Sequence, residues 1–205
     1  MKPTRAALLI GLVAALCLLI SGPGVRLGLY QFPFGFTLLK WGAYAGIVAM
    51  ILSVVLLLMM LSRTPRVGIG TLVLAFALGA VATGVPWFWL SRAKSAPPIH
   101  DVTTDTDNPP VFVAVLPLRA NARNPASYGG KEVAAEQKKG YPDLRTLELS
   151  EAPAEAFRRA ERAARAMGWD IVAVDSTAGR IEATATTGWF AFKDDVVVRV
   201  EGAGQ

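Results

Sequence analysis

Two long apolar stretches decide the fold of the first half of this 205-residue chain: WGAYAGIVAMILSVVLLLMMLS at residues 41–62 and VGIGTLVLAFALGAVATGVPWFWL at residues 67–90. Neither contains a charged side chain, and each exceeds the roughly 20 residues that a helix needs to cross a bilayer core of about 30 Å. Aromatic rings mark their ends, Trp41 in the first and Trp87 and Trp89 in the second, as is usual at headgroup level. We therefore predict two membrane-spanning helices.

A third apolar run covers residues 6–22 and follows Lys2 and Arg5. It resembles a signal peptide, but it lacks a small-residue cleavage site, and Leu16 before Cys17 does not fit a lipoprotein signal. We predict a retained short helix, with a cleaved signal peptide as the alternative. Residues 1–91 then form a transmembrane anchor of three helices.

Residues 21–40 separate the first two spans and are rich in glycine and aromatic residues. Phe32, Phe34 and Phe36 recur at every second position, which is also the spacing of a strand. We interpret the rings as lying in the membrane interface, and a strand is the alternative.

The charges in the anchor predict its orientation. Lys2, Arg5 and the α-amino group precede the first helix, and only Arg26 follows it closely. Since the first helix usually dominates orientation, the N-terminus is expected inside, with Arg63 and Arg66 in an inner loop. Three spans, or two after cleavage, place the C-terminal part outside. We predict a multi-pass protein of the bacterial inner membrane with an extracytoplasmic C-terminal domain.

The formal charge of +5 belongs to the anchor and not to the C-terminal half. No Asp or Glu occurs before residue 101, and the chain beyond residue 91 is nearly neutral. A basic total that only orients membrane helices gives no reason to expect nucleic acid as a partner. The two long spans also lack the ionisable residue that a transport path usually needs.

Small residues four positions apart line the spans, notably Gly42, Gly46 and Gly79. Such rows let helix backbones approach closely. They predict either a homo-oligomer through these glycines or packing of the three helices within one chain, and we favour the second.

The second half has the pattern of a small α+β domain, a helix packed on an antiparallel sheet. Proline pairs bracket a linker at residues 92–110, and the domain follows at residues 111–205. Ser150 is expected to cap the main helix and Gly168 to end it. The predicted elements are a strand at 111–118 interrupted by Pro117, a short helix at 131–139, the main helix at 150–167, and strands at 169–174, 180–186 and 196–200.

Few residues offer catalytic chemistry. Cys17 is the one cysteine and His100 the one histidine, which lies beside Asp101 in the linker. Asp194 and Asp195 are the other weak candidates, and because neighbours in a strand point to opposite faces they are not an acid–base pair on one side. Asp101, Asp105 and Asp107 form an acidic cluster that lacks the glycine of a calcium loop, so we predict no metal and no cofactor.

An aromatic connection precedes these aspartates. Trp189, Phe190, Phe192 and Lys193 are the candidate binding residues, lining a pocket that one of the carboxylates faces. The alternative, which we favour, makes Asp194 and Asp195 part of a polar turn before the last strand.

Five blocks in order resemble the bacterial family catalogued as domain of unknown function 1499. They are PPIHDVTTDTDNPPVF (97–112), YPDL (141–144), GWDIVAVD (168–175), GRIEATATT (179–187) and FKDDVVVRV (192–200), and RLGLYQFPFGFTLLKWGAY (26–44) resembles its multi-span members. The resemblance implies a membrane-anchored extracytoplasmic domain and no activity. Similar proteins continue with a further strand and helix, whereas this chain stops at Gln205. We therefore expect a C-terminally truncated domain that is less stable than a longer relative.

These features predict a non-enzymatic binding or scaffold module that is tethered to the membrane and meets an envelope lipid, an envelope polymer or a protein partner. The alternative is a hydrolase-like envelope enzyme that uses Asp194 or Asp195, or His100 with Asp101.

Overall fold

The computed structural model describes residues 3–61, 68–120, 122 and 124–202. It divides the chain into two compact units. The first contains the described residues up to Ser95 together with Gly188–Ala191, and the second contains the rest. Lys2, Arg63, Arg66 and Gln205, and the predicted span ends at Ser62 and Val67, lie outside the described residues.

The described residues of the first unit form four helices: α1 (Pro3–Ser21), the single turn α2 (Pro23–Arg26), α3 (Phe32–Leu61) and α4 (Ile69–Ser95). Three helical segments, Pro3–Arg26, Phe32–Met60 and Ile69–Ser95, are long and apolar enough to cross a membrane. Their side chains are apolar all round, which is typical of helices that face lipid as well as one another.

Glycines set the close approach of these helices. A Cβ atom on Gly46 would lie 2.6 Å from the carbonyl oxygen of Gly79, and one on Gly79 would lie 2.5 Å from that of Gly46. A Cβ atom on Gly42 would lie 2.9 Å from the Cβ of Cys17 on α1. The small-residue rows therefore pack α1, α3 and α4 within one chain, which is the alternative that the sequence favours. A homo-oligomer through Gly42, Gly46 and Gly79 stays a prediction, and these contacts do not support it.

The aromatic segment before the second span is helical. Helix α3 begins at Phe32, so Phe34 and Phe36 lie in its first two turns, and the strand alternative is wrong. The helix extends upstream of Trp41 as far as Phe32, and Pro33 marks its start, because a proline is tolerated in the first turn of a helix and not in its interior.

The second unit is an α+β domain, as the sequence predicts. A 3₁₀ turn (Leu116–Arg119) and helix α5 (Gly130–Gly140) precede helix α6 (Pro153–Ala166) and three strands, β1 (Asp170–Asp175), β2 (Arg180–Thr186) and β3 (Lys193–Arg199). The strands form an antiparallel sheet in the order β1-β2-β3, and α6 packs against β1. Phe157, Ile181 and Ala183 are nearly fully buried.

Three local predictions for this unit are wrong. Residues 111–118 form no strand: they run without regular structure into the 3₁₀ turn. Ser150 does not cap α6, which begins with Pro153 after Ala152. The spacing of three residues from Ala164 predicts Met167 on the buried face of the main helix, but Met167 is 65% exposed. Gly168 follows α6 with a φ of +73°, the left-handed conformation expected at a helix end.

Candidate functional site

One face of the sheet carries most of the ionisable side chains of β2 and β3. Alternation along a strand puts Arg180, Glu182 and Thr184 of β2 on the same face, and the register pairs Arg180 with Arg199 and Thr184 with Asp195 of β3. We call these five residues the polar face of the sheet.

Glu182 lies at the centre of the polar face, and its side chain is 1% exposed. Its carboxylate accepts hydrogen bonds from the backbone N–H of Val113 at 3.0 Å and of Val115 at 2.9 Å, and Arg180 Nε lies 3.1 Å away. Burial alone would raise the pKa of Glu182, but the backbone N–H groups of residues 113–115 and the Arg180 charge outweigh burial and lower it. Glu182 is therefore a buried carboxylate that holds the chain before the 3₁₀ turn.

Asp195 is the candidate catalytic residue with the most contacts. It forms an ion pair with Arg119 and accepts a hydrogen bond from Thr184 Oγ1 at 2.7 Å, and its side chain is 12% exposed. Arg119 also donates to the carbonyl oxygen of Asn124 at 3.0 Å. Both carboxylate oxygens of Asp195 are thus engaged, so this group clamps the 3₁₀ turn to β3.

Asp194 faces away from Asp195. It pairs with Ala185 across the sheet and is exposed. Both aspartates lie in β3, which begins at Lys193, so the interpretation of a turn at these residues is wrong. The strand starts earlier than residue 196 because the hairpin pairs Lys193 with Thr186.

The other end of the polar face holds two arginines directly opposite each other. Arg199 pairs with Asp105 at 2.9 Å and with Glu201 at 2.8 Å, while Arg180 pairs with Glu182 and Asp175. A cleft of about 130 Å³ lies here, lined by both arginines, Ala178 and residues 108–111. This volume holds about four water molecules, which is small against the 300 Å³ or more of an ordinary ligand pocket.

His100 and Asp101 are sequence neighbours that form no hydrogen bond with each other within the described residues. His100 is exposed and Asp101 is half-buried. Burial raises the pKa of Asp101, and the Val102 N–H and the Arg119 charge act against it. Burial, and then the charge of Asp101, also raise the pKa of Tyr128. Among the described residues, no partner orients the exposed His100 imidazole in the way that the His–Asp arrangement of a hydrolase requires.

The predicted aromatic binding residues are divided between the two units. Trp189 and Phe190 belong to the first unit, whereas Phe192 and Lys193 belong to the second with Asp194 and Asp195. Within the first unit, Trp189 Nε1 donates to Ser21 Oγ at 3.3 Å, and the Phe190 ring lies edge-on to Phe36 with centroids 4.9 Å apart. The pocket that joins these rings to a carboxylate stays a prediction.

The acidic cluster in the linker makes local bonds. Asp105 Oδ1 accepts the backbone N–H groups of Asp107 at 3.2 Å and of Asn108 at 2.9 Å. Among the residues that the structure describes, no group of three or more histidine, cysteine, aspartate or glutamate side chains is placed to hold a metal ion.

The residues from the linker to the end of the chain carry a family signature. The family model described as "Protein of unknown function (DUF1499)" matches residues 101–205, slightly more than half of the chain. The chain belongs to this family. No curated protein and no solved structure matches the chain. The DUF1499 match spans every residue of the polar face and its partners on residues 105–119.

Sequence reasoning missed two of the residues that organise this region of the DUF1499 domain, Glu182 and Arg119. The alternation along β2 predicts Glu182 on a solvated face, but residues 113–115 cover that face. Arg119 lies in a stretch without periodicity. No sequence pattern marks either residue, because an acid that alternates with Ile181 and Ala183 is also what a half-solvated strand shows.

Proposed function

We propose that the protein is a membrane-anchored binding or scaffold module, and that its DUF1499 domain lies on the extracytoplasmic side of the bacterial inner membrane. The observation that carries the proposal is the pairing of the polar face with residues 105–119. Asp105 binds Arg199, the amides of Val113 and Val115 bind Glu182, and Arg119 binds Asp195. Charged groups that are held in this way fix a shape, and they are poorly placed to exchange protons with a substrate.

The concave surfaces of the domain support the same proposal. The second cleft, about 400 Å³, is bordered by four consecutive exposed residues, 145–148, and is therefore an open surface. Neither cleft has the enclosed apolar walls and converging polar groups that a small-molecule site uses. A surface that meets an envelope polymer or a protein fits this geometry better.

A reporter fusion tests the location. Alkaline phosphatase fused after Gln205 should be active, because this enzyme needs the oxidising compartment outside the inner membrane. A fusion after Pro65, between the second and third spans, is the matched control and should be inactive. A stable but inactive fusion after Gln205 would overturn the proposed orientation and the extracytoplasmic location together.

A further inference from the structure

The loop Gly188–Ala191 is built into the first unit next to helix ends. Gly22 lies against the Trp189 indole so closely that a Cβ atom there would overlap the ring. A Cβ atom on Gly35 would lie 3.1 Å from the Phe190 ring. Arg26 Nη1 donates to the carbonyl oxygen of Gly188 at 3.0 Å. Gly22 and Gly35 thus leave space for the two aromatic rings, and Arg26 holds the backbone of the loop.

A hydrogen bond between α3 and α4 gives the alignment of these two helices along the bundle. Thr83 Oγ1 donates to the carbonyl oxygen of Ala43 at 3.1 Å, so these two residues lie side by side. With a rise of about 1.5 Å per residue in antiparallel helices, Trp41, Trp87 and Trp89 lie within roughly 6 Å of one another along the bundle.

Phe36, which contacts Phe190, lies only about one residue rise beyond the level of Trp89. We call Trp41, Trp87, Trp89 and Trp189 the tryptophan belt. Their exposed fractions are 61%, 71%, 65% and 44%, so each ring presents a large surface outward. Rings of this kind settle at the headgroup level of a bilayer, and Trp189 joins them although it lies far from the spans in sequence.

The charges at this level have one sign. Arg26, Lys40 and Arg92 are all exposed, and the sequence of this unit contains no aspartate or glutamate. Within the described residues, none of these three forms an ion pair. Arg26 donates one guanidinium N–H to the carbonyl oxygen of Gly188. The planar arrangement of its other N–H groups matches the oxygen atoms of a phosphate group.

We propose that Arg26 and the Gly188–Ala191 loop form a binding site for the headgroup of an anionic phospholipid. The Arg26 guanidinium binds the lipid phosphate, and Trp189 packs beside the glycerol and the first acyl carbons. The inference rests on the three helices spanning a bilayer and not on which side the DUF1499 domain faces. A negative result in the lipid experiment would therefore overturn this site alone, whereas a negative result with the phosphatase fusion would overturn only the proposed orientation.

Native mass spectrometry of the full chain tests this site. The protein is reconstituted in mixed phosphatidylglycerol and phosphatidylcholine and released from detergent, and the retained lipids are counted. In Arg26→Gln the ratio of retained phosphatidylglycerol to phosphatidylcholine should fall about fivefold, because the substitution removes the charged guanidinium that binds the lipid phosphate through its N–H groups. Arg5→Gln, which removes an exposed arginine near the other end of α1, is the matched control and should keep the ratio. An equal fall in both variants, or in neither, would overturn the site.

Quenching of tryptophan fluorescence is a second test of this site. The quenching that belongs to Trp189 is the difference between wild type and Trp189→Phe. Brominated phosphatidylglycerol should quench this component more strongly than brominated phosphatidylcholine at equal bromine content. Equal quenching by the two lipids, or a component that only aqueous iodide quenches, would overturn the proposal even if Arg26→Gln does not fold.

Discussion

Replacing Glu182 by glutamine should loosen residues 111–119 while it leaves the shape of the side chain intact. In the wild type the carboxylate accepts bonds from Val113 and Val115 and faces Arg180. One oxygen receives both backbone N–H groups, so a glutamine oxygen in that place keeps both bonds. The substitution removes the charge, and the new amide N–H₂ points at Arg180 Nε, which is also a donor.

The magnitude follows from these contacts. A hydrogen bond to a charged acceptor contributes about 1.5–3 kcal/mol and a neutral one about 0.5–1.5 kcal/mol, so each of the two backbone bonds weakens by about 1 kcal/mol. Arg180 is 27% exposed and keeps its ion pair with Asp175, so the loss of the Glu182 charge beside it adds less than about 1 kcal/mol. We expect Glu182→Gln to lower the free energy of opening of this segment by about 2 kcal/mol, which is roughly a 30-fold increase in the population of the open state.

Hydrogen exchange of the full chain in detergent measures this directly. The amides of Val113 and Val115 should exchange roughly 30-fold faster in Glu182→Gln than in the wild type. Glu201→Gln is the matched control, since Glu201 is an acid of the same sheet side that pairs with Arg199 but is 43% exposed. It should change exchange by less than about threefold. If the two variants behave alike, or if neither differs from the wild type, the assignment of Glu182 as the group that holds this segment is wrong.

Three further predictions use the same preparation. Asp195→Asn breaks a half-buried ion pair, so it should speed the hydrogen exchange of β3 amides by the equivalent of about 1–3 kcal/mol. Asp194 is exposed, and Asp194→Asn should change the exchange by no more than about 0.5 kcal/mol. Equal effects of the two substitutions would contradict the role of Asp195 in holding the 3₁₀ turn to β3. Gly79→Ala should lower the thermal unfolding temperature of the helical unit, and Gly84→Ala, where a Cβ meets open space, should not. The stability difference between wild type and Glu182→Gln should be constant above about pH 5 and shrink as the pH falls through the lowered pKa of Glu182, because a group with a depressed folded-state pKa stabilises only while it is ionised; a difference that grows in acid would refute this sign.

The spans and strands were predictable because their signals are local. A run of more than 20 apolar residues and the alternation along residues 180–186 each specify one element without reference to the rest of the chain. Residues 111–118 show where such signals fail. The amides of Val113 and Val115 are two residues apart and point the same way, as they would at a strand edge, but their acceptor is the carboxylate of Glu182 instead of a neighbouring backbone.

The site was less predictable because its residues meet only in the folded domain. The sequence suggests two pairs of neighbours as candidates, His100 with Asp101 and Asp194 with Asp195. Neighbouring side chains in an extended chain, however, face opposite ways. The partners that matter are 76 positions apart for Arg119 and Asp195 and 94 apart for Arg199 and Asp105. Spacing along one sequence carries no information about such pairs.

The register of β2 and β3 explains why the linker is acidic. Arg180 and Arg199 lie directly opposite each other, and like charges in that position destabilise a sheet. Glu182 and Asp175 balance Arg180 from within the sheet, whereas Arg199 pairs with Glu201 just beyond β3 and with Asp105 of the linker. Asp105 in turn uses its other oxygen to turn the chain through the amides of Asp107 and Asn108. Asp105 of the acidic cluster thus supplies both a counter-ion for Arg199 and a turn of the chain.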